Sequence, residues 1–199
     1  MLLRSAAAKI SYVAGITVVL TTLACWGVLA HQGSETVSAD AKAAMTDKPF
    51  VRDSTYGDML ETKLGELAQQ QGASEVVRNF GARMVSDYKN VGDRLNEVAF
   101  RESIALPTEL ATRDQATYER LSKLSGTNFD RAYAKEMMYR QVLDLQVFQH
   151  EARVGEEGPV RRFANQTIPM IRQHVATARV MVSSVLSSDA TPKSGSPSR

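Results

Sequence analysis

The sequence predicts an all-α protein, an antiparallel bundle of four long helices with one additional short helix. Three observations carry this. Apolar residues recur at helical spacing in several separate stretches, glycine and proline sit mainly between those stretches, and no run alternates as a half-buried strand does. The clearest stretch is 74–99, where Val77, Phe80, Met84, Tyr88, Val91, Leu95 and Val98 keep a 3-4-4-3-4-3 rhythm. A helix with so long an apolar stripe needs other helices to cover it.

Composition fits one globular domain with appendages: 199 residues, 43% hydrophobic and 23% charged. A formal net charge of +2, with basic residues dispersed among acidic ones, gives no reason to expect nucleic acid. The single cysteine, Cys25, lies in the N-terminal apolar run, so disulfides, cysteine-ligated zinc and cysteine nucleophiles are excluded from the rest.

Residues 1–39 read as a signal peptide or an uncleaved membrane anchor. Arg4 and Lys9 precede an uncharged run over residues 10–30, and Val37-Ser38-Ala39 offers a small-residue cleavage site. A cleaved signal carries roughly 7–15 apolar residues, whereas roughly 20 span a bilayer. This run is at the spanning end, with Trp26 near the outer interface, so both outcomes stay open. Lipidation of Cys25 is a third, although Thr22-Leu23-Ala24 is a poor lipoprotein box. All three place the remainder outside the cytoplasm, in the periplasm or on the outer face of the cytoplasmic membrane, touching the membrane through residues 10–30 if these are retained.

Residues 40–46 read as a linker and 47–187 as the helical bundle. Asp47 caps a first helix with Pro49 in its first turn and Phe50, Tyr56, Leu60, Leu64 and Leu67 inward. Gly72 stops it and Ser74 caps the second helix after a tight turn, which makes the pair antiparallel. Leu106-Pro107 marks a break before a short helix over 108–124 that uses Leu110, Tyr118, Leu121 and Leu124. Thr127 and Asp130 have capping-box spacing before a long helix to about residue 154 on the row Phe129, Tyr133, Met137, Gln141, Asp144/Leu145, Phe148. Gly155 to Gly158 breaks it, and Pro159 opens a last helix carrying Val160, Phe163, Thr167, Met170/Ile171, His174, Ala178, Met181 and Val185. Pro169 inside that helix predicts a kink rather than a stop. Residues 188–199 are Ser/Pro/Lys-rich and read as a disordered tail.

Three polar residues fall on apolar rows: Tyr88, Gln141 and His174. Three carboxylates flank those rows: Glu61, Asp87 and Asp144. Facing helices build sites from inward side chains, so these six are the candidates for a divalent-metal or small-ligand site. The competing reading is a buried hydrogen-bonded cluster in which His174 donates to Asp144 or Gln141, because buried polar groups need partners whether or not they act. A carboxylate-bridged di-iron centre needs Glu-x-x-His on two helices, and none of His31, His150 and His174 has glutamate three residues before it. Ferroxidase and di-iron oxygenase chemistry is therefore rejected. There is no Gly-x-Ser-x-Gly and no phosphate-cradling glycine loop. Met84, Met137, Met138, Met170 and Met181 have core spacing and read as filler rather than thioether ligands.

The ordered set DKPFVRDSTYGDMLETKLGELAQQ, VVRNFGARMVSDYKN, LPTEL, KLSGTNFDRAYAKEM and RRFANQTIPMIRQHVATA resembles the bacterial envelope family designated domain of unknown function 4142. The resemblance implies a ferritin-like helical bundle, exported and of unassigned biochemical function. It also implies inward histidines in the second and fourth helices, where this chain has Asp87-Tyr88 and Arg140-Gln141, while His174 keeps the third. A tyrosine, an amide and one imidazole make a poor metal site without all three carboxylates. The expectation is a non-enzymatic structural or interaction protein without a cofactor; the alternative is a metal- or small-ligand-binding bundle centred on His174. No motif names a protein partner, and self-association stays open.

Overall fold

The structure, a computed structural model, describes residues 39–187, with side chains from residue 47 onward. It comprises α1 (Ala39–Gln71), α2 (Glu75–Arg101), α3 (Thr112–Ser122), α4 (Gly126–Val154) and α5 (Pro159–Ser187), with no β-strand among the described residues. The expected signal or anchor segment, Cys25 with it, and the expected tail at 188–199 lie outside the described residues. Among the described residues no helix is long and apolar enough to cross a membrane.

The four long helices form a ring in which α1 packs on α2 and α4, and α5 packs on the same two. Side-chain pairs give their directions. Phe50 early in α1 meets Phe148 late in α4, with centroids 5.0 Å apart, and Phe148 meets Phe163 early in α5 at 5.9 Å. Arg83 in α2 reaches Gln173 at 2.7 Å, whereas Arg94, further along α2, reaches back to Gln166 at 2.9 Å. Ring neighbours are therefore antiparallel, and α2 and α4, across the diagonal, run the same way. Parallel elements require the chain to travel back along the bundle, which residues 102–125 do. Within that crossover α3 packs on α1 and α4. Its Tyr118 ring lies 5.9 Å from Lys63 Nζ, and the Ser122 carbonyl accepts from Gln71 Nε2 at 3.1 Å.

Helical periodicity decides the core. All seven residues of the α2 stripe are buried, as are Phe129, Tyr133, Met137, Gln141 and Phe148 of α4 and Val160, Phe163, Thr167, Ile171, His174, Ala178, Met181 and Val185 of α5. Met84, Met137 and Met181 are core residues, and Met138 and Met170 pack against the core. In α1, Phe50, Leu60, Leu64 and Leu67 are buried, but Tyr56 is only half-buried. The α1–α2 contact is closest at Gly65 and Gly81, where a Cβ on either would fall 2.7 Å from the other's carbonyl oxygen. Only glycine lets the two backbones approach so nearly.

Several termini differ from the sequence reading. Residues 40–46, expected as a linker, are helical and carry α1 back to Ala39, so Asp47 is no cap and Pro49 lies inside the helix. The alanine-rich run before Pro49 favours helix strongly enough to extend past it. The short helix starts at Thr112 rather than 108, its first turn built on the Ala111 carbonyl, while Leu110 packs on the core from the preceding irregular chain. Ser74 and Ser125 occupy cap positions without side-chain cap bonds. Nor does Asp130 close a box on Thr127. Its buried carboxylate accepts from the Ala73 and Ser74 amides at 2.9 and 2.8 Å. Those amides open α2 and lack helical partners, so a residue of α4 supplies their cap. As expected, α5 continues through Pro169.

Candidate functional site

The middle of each long helix contributes to one polar layer, and the structure brings all six sequence candidates into it. Gln141 of α4 is the hub. Its Nε2 lies 2.8 Å from Glu61 Oε1 of α1 and 3.1 Å from the Tyr88 hydroxyl of α2, and its Oε1 lies 3.2 Å from His174 Nδ1 of α5. Tyr88 donates to Asp144 Oδ2 at 3.3 Å. His174 Nε2 sits 2.7 Å from Asp87 Oδ2, which also accepts from Arg83 Nε at 3.2 Å. Glu61, Gln141 and His174 are each 0% exposed, so their polar atoms find partners in the protein rather than in solvent. Of the two partners expected for His174, Gln141 is in contact and Asp144 is not. Tyr88 takes Asp144, and Asp87 takes the imidazole.

Sequence reasoning missed Arg140. It precedes Gln141, and its Nε lies 3.6 Å from Glu61 Oε1 while its Nη1 lies 3.6 Å from Asp114 Oδ1 of α3. Asp114, in the first turn of α3, is buried as well. A buried carboxylate requires a counter-charge, and that requirement at Glu61 was the available signal. Met84 also borders the hub, with Sδ 3.8 Å from Gln141 Nε2.

Burial, then the charge of Asp144, pushes the Glu61 carboxyl well above its usual range against the opposing pull of Arg140. Asp144 is raised too, by burial, although Arg140 and the hydrogen bonds from Glu61 and Tyr88 work against it. Both directions favour a protonated carboxyl at this pair. For Arg140, burial alone would lower the pKa, but Glu61, Asp144, Asp114 and Glu136 outweigh it and keep the guanidinium charged. Burial would raise Asp87, yet the hydrogen bonds from His174 and Arg83 hold it below its usual value. Burial lowers His174 despite Asp87, favouring a neutral ring.

These directions fix the proton inventory of the hub. Asp87 only accepts, so His174 carries its proton on Nε2 and, when neutral, needs a donor at Nδ1. A neutral ring therefore requires the Gln141 amide to be turned over, so that its NH2 rather than its carbonyl faces Nδ1. Its carbonyl then accepts from a protonated Glu61, and the single Tyr88 proton goes either to that carbonyl or to Asp144. With the amide the other way round the ring must be an imidazolium and Glu61 an acceptor. The depressed histidine favours the turned-over amide, and the raised glutamate fits either orientation because Glu61 can carry its proton on Oε2.

Among the described residues no group of three or more His, Cys, Asp or Glu side chains is arranged to hold a metal ion. The imidazole is held at both nitrogens and Glu61 is turned toward Gln141 and Arg140. No curated protein and no solved structure matches the chain. The family model described as "Domain of unknown function (DUF4142)" matches residues 32–181, and the chain belongs to that family.

Proposed function

We propose that this chain is an exported, non-enzymatic bundle of ferritin-like topology, acting by structural presence or interaction in the periplasm or on the outer face of the cytoplasmic membrane. The single long crossover between α2 and α4 supports the topology, since ferritin-like bundles have one such connection. The basic and then apolar character of residues 1–39 supports export.

The observation that carries the non-enzymatic reading is the hub itself. Gln141 joins α4 to α1, α2 and α5, and both nitrogens of His174 are engaged. A catalytic or metal-binding centre holds donors ready for an incoming atom; these donors are spent on neighbouring helices. The positive charge that Glu61 and Asp114 require comes from Arg140. The second reading, a metal- or small-ligand-binding bundle centred on His174, draws on the gathering of Glu61, Asp87 and Asp144 around one imidazole.

Metal content and metal titration of the full chain, beside His174→Ala, separate the two. The structural reading expects no stoichiometric metal in either protein and a lower melting temperature in the variant. Stoichiometric binding abolished by the substitution would replace it with the second reading.

A further inference from the structure

The small formal net charge hides an uneven distribution. Over Pro159–Ser187, α5 carries four arginines and no carboxylate. In α4 acids and bases are equal in number, but the acids are buried or held. Asp130 is buried under the start of α2, Arg120 holds Glu136 at 2.7 Å, Asp144 accepts from Tyr88, and Glu151 is 3% exposed. In the turn between the two helices lie Glu156 and Glu157, the latter paired with Arg161 at 3.7 Å. The cations of α4 behave otherwise. Lys135 and Arg153 are exposed, about 27 Å apart along the helix. Between them α4 exposes Tyr139, Leu143 and Val147, and Val154 follows. Leu143, Val147 and Val154 share with Pro49 and Phe50 of α1 the walls of a recess of about 360 Å³. Arg172 and Arg179, both exposed, lie three and five turns beyond Arg161, on the same face of α5. That face borders α4, because Arg161 donates to the Ala152 carbonyl at 3.1 Å.

We propose that this side of the bundle docks on an anionic lipid surface. Leu143, Val147 and Val154 enter the interface, while Lys135, Arg153, Arg172 and Arg179 meet the headgroups. The inference rests on the proposed placement at the outer face of the membrane and names the surface turned toward it. Charge selects this occupant over a second copy. Two α4 faces paired antiparallel would set Lys135 against Arg153, and paired parallel each cation would meet its own counterpart. An anion with no apolar part would leave Leu143, Val147 and the recess uncovered. A bilayer interface supplies both, with charge at the headgroups and acyl chains within the roughly 5–10 Å that an interfacial helix face penetrates. Tyr139, 66% exposed, suits the same boundary, since its ring is apolar and its hydroxyl can stay wet. Near such a surface each cation strengthens partitioning on the order of fivefold, and salt weakens it.

A dye on the full chain reads the contact. Cys25→Ser removes the native thiol, and Leu143→Cys, or Asn90→Cys on exposed α2 surface across the diagonal, then carries nitrobenzoxadiazole. In vesicles of phosphatidylglycerol and phosphatidylcholine with brominated acyl chains, the dye at 143 should be quenched several-fold more than the dye at 90. The contrast should vanish in phosphatidylcholine alone, in high salt, and with Lys135→Glu, Arg172→Glu and Arg179→Glu combined. Equal quenching at the two positions, or quenching at 143 that ignores lipid charge, would overturn the proposal. So would a disulfide joining two copies of the undyed Leu143→Cys variant, which would make the face a self-association surface. Flotation separates this inference from the reading it rests on. A chain that rises with the vesicles while 143 stays unquenched loses the docking face and keeps its membrane placement; one that does not rise loses both.

Discussion

The same four helices are joined in two chemically opposite ways a few turns apart. At one end Phe50, Phe148 and Phe163 meet at centroid distances of 5.0 to 6.4 Å, with the Arg94 guanidinium 5.3 Å above Phe163. At the middle, Glu61, Tyr88, Gln141 and His174 meet through hydrogen bonds. The aromatic end asks for volume and edge-to-face geometry, which neighbouring registers satisfy almost as well. The polar middle does not. A slip of one helical turn would leave a buried amide or carboxyl without its partner. The aromatic end supplies more of the stability, and the polar middle specifies how the helices align.

Four substitutions test that division. Phe163→Ala removes the ring shared by Phe50, Phe148 and Arg94 and should cost about 3–5 kcal/mol in urea unfolding, the largest effect. Gln141→Ala strips the hub and should cost about 1–3 kcal/mol. A larger loss there than at Phe163 would reverse the division. Glu61→Gln sharpens it through pH. The raised Glu61 pKa means that the parent loses stability as pH climbs from the ordinary carboxylate range toward the folded value. The variant, which needs no proton, should melt above the parent in alkali and close to it in acid; an unchanged pH profile would remove Glu61 from the proton inventory. Arg83→Ala touches only the rim of the layer, at an exposed pair with Asp87, and should cost less than about 1 kcal/mol by the same unfolding measurement.

How far the site was legible follows from where each side chain starts. Tyr88, Gln141 and His174 interrupt apolar rows, so periodicity alone exposes them and predicts that they meet. Asp87 is one residue, about 100° of helix, away from that row. It reads as a flanking polar residue, and its contact with His174 depends on how α2 packs on α5. Arg140 was hidden the same way beside Gln141, because a long side chain turns inward only when carboxylates on two other helices await it. Asp130 has the spacing of a local capping residue, yet its partners lie 56 and 57 positions earlier in the chain. The helices were legible because they depend on local pattern; the missed contacts depend on which helices become neighbours.

The crossover also sets where the chain enters and leaves. Because α1 and α5 run parallel, Ala39 and Ser187 belong to opposite poles of the bundle. At 1.5 Å per residue, the 29 residues of α5 alone separate those poles by about 40 Å. A label or fusion joined to the end of α5 would leave from the pole opposite the one at which α1 begins.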